Sequence, residues 1–199
     1  DGPGPLHSLG CASLTRWDAF LADLAVPPAA VDHRAHGSLI PVLDAEDAEL
    51  VARKAAALTA AGVPVARWSR RELLACEPRF APAVDGALYV PAGQVNPRAL
   101  TAVLRQRCAE REVALHYGVA VERIAAGRVH RADGGVHRAA RVVLASGAWT
   151  PELARITGYD LQGEPVKGQM ALFAGGEDLL TRFVHCRHAY CVPRAGHGI

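Results

Sequence analysis

Three stretches of this chain carry residue types that can meet a ligand. In Arg141-Val142-Val143-Leu144-Ala145-Ser146-Gly147-Ala148-Trp149, an apolar strand breaks at Ser146-Gly147 and turns directly into a helix. Small residues at such a turn let the backbone approach a ligand closely, and a helix N-terminus offers N–H groups to a phosphate. The same pattern also serves as a plain connector. In Pro165-Val166-Lys167-Gly168-Gln169-Met170, Gly168 can admit a flat ring or a second strand, with Lys167 facing an anion. The residues favour the plainer reading, a β-bulge with a solvated lysine. In His188-Ala189-Tyr190-Cys191-Val192-Pro193-Arg194, the period of two places His188 and Tyr190 on one face of a strand. There they supply a tunable imidazole and a phenol donor, or else a rim His and a packed Tyr.

Other chemistries lack their residues. The nine His and five Cys show no metal-ligand spacing, so no metal is expected. Ser146 lacks the flanks of a G-x-S-x-G elbow, and Glu77, Asp85 and Glu164 stand as isolated carboxylates. Neither G-x-G-x-x-G nor G-x-x-x-x-G-K occurs. Twenty-two Lys and Arg against 20 Asp and Glu give a net charge of +2, which points to neither nucleic acid nor a membrane surface. Apolar runs stay well short of the ~20 residues of a membrane helix. With 50% hydrophobic residues among 199, the chain can bury a sizeable core. Five scattered cysteines, an odd number, fit a reducing compartment.

The elements that must position these stretches follow from capping and periodicity. Leu6, Leu9, Trp17, Phe20, Leu21 and Leu24 form one helical stripe, ended by Pro27-Pro28. A strand is expected within residues 33–43. Asp44 caps a helix over residues 44–61 that stops at Gly62. Ser69-Arg70-Arg71-Glu72 is a capping box, and Asn96-Pro97 opens a helix over 97–112. Strands are expected over 63–68, 86–91, 113–116, 119–124, 128–131, 136–139, 142–145, 166–173, 183–186 and 190–192. Asp133-Gly134-Gly135 forms a hairpin turn, and residues 149–157 form a short helix. The 86–116 stretch reads as a strand–helix–strand crossover. The assembly is α+β with mixed strand directions.

The order of these motifs resembles the FAD-dependent D-amino-acid oxidase superfamily, and within it the glycine oxidase branch that serves thiamine biosynthesis. The run from Asp85-Gly86-Ala87-Leu88-Tyr89-Val90-Pro91 through Gln94-Val95-Asn96-Pro97, the Val142–Trp149 stretch, Pro165–Gln169 and Tyr190–Arg194 carries the resemblance. It implies a mixed or antiparallel substrate-domain sheet with helices, joined to part of a Rossmann-like FAD-binding domain. Residues 1–30 would lie on the FAD side, 31–95 and 161–199 in the substrate domain, and 96–160 in the FAD domain. FAD would be contacted by Val119, Ala145, Ser146, Gly147 and Trp149. Tyr190 and His188 would serve the substrate pocket. The implied activity is oxidative deamination of glycine or a small amino acid or amine by hydride transfer to flavin, giving 2-oxo acid, ammonia and hydrogen peroxide. A cytoplasmic homo-oligomer, without nucleic-acid or membrane partners, is implied with it.

Because the family's glycine-rich opening motif is not found, the chain reads as an internal fragment of a longer enzyme, inactive by itself. The alternatives are a related flavin amine oxidase or dehydrogenase, acting on D-amino acids, sarcosine or tRNA, and a non-catalytic binding module.

Overall fold

A computed structural model of the chain describes residues 4–125, 127–174 and 179–194. The chain divides into two units, one of residues 1–111 with 171–199 and the other of residues 112–170.

Local sequence explains the helices of the first unit. In α3 (Ala45–Ala60) the Asp44 carboxylate accepts from the backbone N–H of Asp47 at 2.8 Å. Glu46 and Asp47 then lie in the first turn, where the helix dipole favours negative charge. Ser69 and Glu72 exchange the two hydrogen bonds of a capping box and start α4 (Arg70–Cys76). Asn96 accepts from the N–H groups of Arg98 and Ala99 and starts α5 (Pro97–Glu110).

The expected first helix is instead two, α1 (Pro5–Leu14) and α2 (Trp17–Asp23). The Thr15 hydroxyl donates to the carbonyl of Ala12, and the Arg16 N–H bonds Ser13, which tightens the chain out of α-helical register. Leu21 and Leu24 of the expected stripe are buried, whereas Leu6 and Leu9 are exposed. Arg107 of α5 donates to the carbonyls of Leu24 and Ala25, closing the end of α2 from 83 residues away.

The five-stranded sheet of this unit has the order β2-β3-β1-β7-β8. Its strands are β1 (Ser38–Val42), β2 (Ala66–Ser69), β3 (Gly86–Val90), β7 (Phe183–His185) and β8 (Tyr190–Cys191). β1 runs antiparallel to β3, with Leu39 opposite Tyr89, and parallel to β7, with Leu39 opposite Val184. Alternation sends Ile40 and Leu88 towards Val51 and Ala55 of α3. Leu39, Ala87 and Val184 go to the other face with Leu73 of α4 and Val84. β1 is thus covered on both faces, and each such side chain contributes roughly 1.5–3 kcal/mol by burial. Gly86 is required because a Cβ there would collide with the Trp68 carbonyl of β2.

Glu77 fixes the entry to β7. Its carboxylate, 1% exposed, accepts from the Thr181 N–H at 2.9 Å, the Thr181 hydroxyl at 2.5 Å and Arg182 at 3.1 Å. Arg182 also donates to the His36 carbonyl and lies 5.4 Å above the Trp68 ring. The isolated carboxylate of the sequence is therefore a saturated structural anchor.

The second unit holds the antiparallel meander β4 (Val121–Ala125), β5 (Arg128–Arg131) and β6 (Val136–Arg138), followed by a 3-10 turn over Gly147–Trp149 and α6 (Thr150–Ile156). Among its described residues, Ile124 of β4 and Ala154 of α6 are the buried apolar ones. The 133–135 hairpin turn forms as expected, with Gly134 at φ +83° and the Asp133 carboxylate accepting from the Gly135 N–H.

Three expected strands, 113–116, 142–145 and 166–173, take no regular structure. Their residues have strand propensity, but no described strand pairs with them, and propensity alone does not hold a strand. Val143 is 85% exposed and Val166 87%. The crossover expected over 86–116 accordingly lacks its second strand.

Candidate functional site

The β7–β8 hairpin carries the residues of the third stretch. His185 pairs with Tyr190, and Val184 with Cys191. Residues opposite one another point to the same face, so Tyr190 shares a side with His185 and Phe183. The rings of Phe183 and Tyr190 lie 5.9 Å apart, and those of Phe183 and His185 6.2 Å. Tyr190 is 54% exposed at the edge of the sheet. His188 departs from the expectation. It sits in the hairpin turn, outside the two-residue β8, because the Cys186 N–H bonds the Ala189 carbonyl and closes the chain early.

The hairpin is held by Arg187, which pairs with three carboxylates at the start of α3. It reaches Asp44 at 2.5 Å, Asp47 at 2.8 Å and Glu46. These pairs raise the guanidinium's proton affinity further. The Asp44 carboxyl is held below its ordinary range, first by the Asp47 N–H and then by Arg187. At the far end of β8, Gln94 donates to the Pro193 carbonyl and Arg194 to that of Val95, both at 2.8 Å. The Gln94 Oε1 atom is left buried with no partner.

Under the hairpin lies an open cavity of about 320 Å3. Ile40 and Leu50 give it an apolar floor, while Lys54, Arg53, His185 and His188 line it with nitrogen donors and cations. Burial, and then the Lys54 charge, push the His185 imidazole towards its neutral form. Burial likewise raises the Cys186 thiol above its ordinary range. The sequence reading leaves His185 at the surface and gives Arg187 and Lys54 no role, whereas all three meet at this cavity. Residues 46, 50, 53 and 54 do form one helical stripe, but only the hairpin above it turns that stripe into a cavity wall.

The residues expected to contact FAD all fall in the second unit. Val119 is half-buried just before β4. Ala145 and Gly147 are exposed, and Ser146 shares a hydrogen bond with Thr150 at 3.1 Å. Gly147 has φ +58°, and nothing lies within 4 Å of where a Cβ would stand. Trp149 is 69% exposed on the 3-10 turn that follows. The turn is therefore open to close backbone approach, although the expected preceding strand is not formed. Lys167 and Gly168 are exposed in irregular chain. His197, expected at the surface, lies outside the described residues. Among the described residues no group of three or more His, Cys, Asp or Glu can hold a metal. No described helix is long and apolar enough to cross a membrane.

The chain is similar to proteins of known sequence and structure. Glycine oxidase of Geobacillus kaustophilus is 35% identical over 142 residues, 68% of this chain and 38% of that protein. A D-amino acid dehydrogenase of a Methylobacterium species is 36% identical over 148 residues, 70% of this chain and 35% of that protein. The crystal structure of the Geobacillus glycine oxidase superposes with a TM-score of 0.78 at 25% identity, covering 98% of this chain and 55% of that one. The chain thus spans between about a third and about half of these relatives. The model of the FAD dependent oxidoreductase family known as DAO matches residues 1–199. On that match over its whole length, the chain belongs to the FAD dependent oxidoreductase family.

Proposed function

We propose that these residues are part of an enzyme that oxidises glycine or another small amino acid, releasing a 2-oxo acid, ammonia and hydrogen peroxide. The observation that carries the reading is the Ala145-Ser146-Gly147 turn. It combines a left-handed glycine, open space where a Cβ would stand and an exposed Trp149 ring, which together fit a large flat cofactor approached by backbone. Val119, Ala145, Ser146, Gly147 and Trp149 would hold FAD. Bound FAD would supply a two-electron acceptor for the hydride of the amine-bearing carbon, with oxygen as the final acceptor.

The chain's own residues then bind and orient. The exposed Tyr190 Oη is free to donate a hydrogen bond to the substrate, and the His188 imidazole stands in the adjoining hairpin turn. By fixing the amino acid they convert an encounter into a positioned reaction, and water hydrolyses the imine that results. In this reading residues 31–95 and 161–199 serve the substrate side and 96–160 the FAD side. A homo-oligomer in the cytoplasm, serving thiamine biosynthesis, belongs to the same proposal.

A dehydrogenase using another electron acceptor is the second reading, favoured by the similarity to D-amino acid dehydrogenase. Turnover of the full-length protein with glycine, sarcosine and D-alanine, followed by peroxide release and by reduction of an acceptor dye, tests both. Peroxide formed with glycine supports the oxidase. Dye reduction without peroxide supports the dehydrogenase, and activity with none of the three overturns the proposal.

A further inference from the structure

The cavity under the β7–β8 hairpin carries more positive character than its surroundings neutralise. From α3 it receives Glu46, Arg53 and Lys54; from β7 and the turn it receives His185, Cys186, Arg187 and His188. Tyr190 stands opposite His185 on β8. Glu46 is spent on Arg187, which Asp44 and Asp47 also neutralise. Arg53 holds Glu49 only loosely, at 3.6 Å, with both side chains exposed. Among the described residues no carboxylate pairs with Lys54, which lines the cavity together with the His185 imidazole. A half-buried lysine and an imidazole thus line one cavity together with Ile40 and Leu50.

We infer that this cavity binds a small amine-free carboxylate with a short apolar tail, its carboxylate held by Lys54 and His185 and its tail on Ile40 and Leu50. The volume of about 320 Å3 lies at the lower end of small-molecule sites. An α-amino acid is disfavoured, because its ammonium would face Lys54 and Arg53. The 2-oxo acid that amino-acid oxidation releases has the required chemistry. That link rests on the proposed function, whereas carboxylate binding itself does not. The anion favours protonated His185, so binding takes up a proton and strengthens as the pH falls through the His185 titration.

The test is proton NMR titration of the His185 ring in the purified protein, with butyrate and 2-oxobutyrate as probes. The expected result is a saturable shift with both, an upward move of the His185 titration midpoint, and binding weakened about tenfold or more in Lys54→Met. The other histidine resonances report that this variant is folded. Glycine and inorganic phosphate at the same concentration should not displace butyrate. The inference is overturned if either probe fails to bind, if Lys54→Met binds as tightly, or if glycine or phosphate displaces butyrate equally well. Should both probes bind normally in a protein that oxidises no amino acid, the site stands and only its link to the reaction product fails.

Discussion

Single side chains in this molecule divide into those that hold the fold and those left open for chemistry. Glu77 belongs to the first group, and replacing it with Leu strands the Thr181 donors and Arg182. A loss of about 3–5 kcal/mol in urea unfolding is expected, as for a broken buried pair. Tyr190 belongs to the second. Tyr190→Phe in the full-length enzyme should weaken substrate use and leave the flavin content unchanged; lost flavin with an unaltered KM for glycine would show the assignment to be wrong. Asp44 gives a pH dependence. Its folded carboxyl is held below the ordinary value of 3.8, so its contribution is complete above that value and is lost as pH falls through the folded one. Asp44→Asn should therefore lower the urea midpoint at about pH 7, and the gap to the parent should narrow as the pH falls below 3.8.

Elements were legible in the sequence where their causes are local. The caps Asp44, Ser69 with Glu72, and Asn96 each make the hydrogen bonds that their residue types announce. Asn96→Ala should cost about 1 kcal/mol, read as a shift in thermal unfolding. The turn at Asp133-Gly134-Gly135 was legible for the same reason. Strands were legible only where a partner exists within the described residues. Val142-Val143-Leu144 and Val166 have the composition of buried strands, yet composition does not supply the neighbour that a ladder needs. The candidate site shows the same limit. Tyr190 and His188 could be found from a short motif, but His185, Lys54 and Arg187 come together across 133 positions of chain, through a pairing that no local pattern encodes. Gly86→Ala would test a different long-range pairing, that of β2 with β3. The new Cβ meets the Trp68 carbonyl, and hydrogen exchange at Ala87 and Leu88 should quicken if the register is as described.

At the scale of the whole molecule, the chain carries parts of an FAD dependent oxidoreductase while spanning only between about a third and about half of its relatives. Its apolar side chains are unevenly distributed: Leu39, Leu73 and Leu88 are fully buried, while Val143, Val166 and Met170 stand in solvent. Limited trypsin digestion of this chain should cut after Lys167, exposed in irregular structure, well before Lys54, half-buried in α3. The central claim is that these residues help bind FAD in an enzyme that takes electrons from a small amino acid. Anaerobic addition of glycine, sarcosine or D-alanine to the purified full-length protein, followed by its visible absorbance, tests that claim most directly. The account predicts a yellow protein bleached by at least one of the three; a colourless protein, or a yellow one that none of them bleaches, would contradict it.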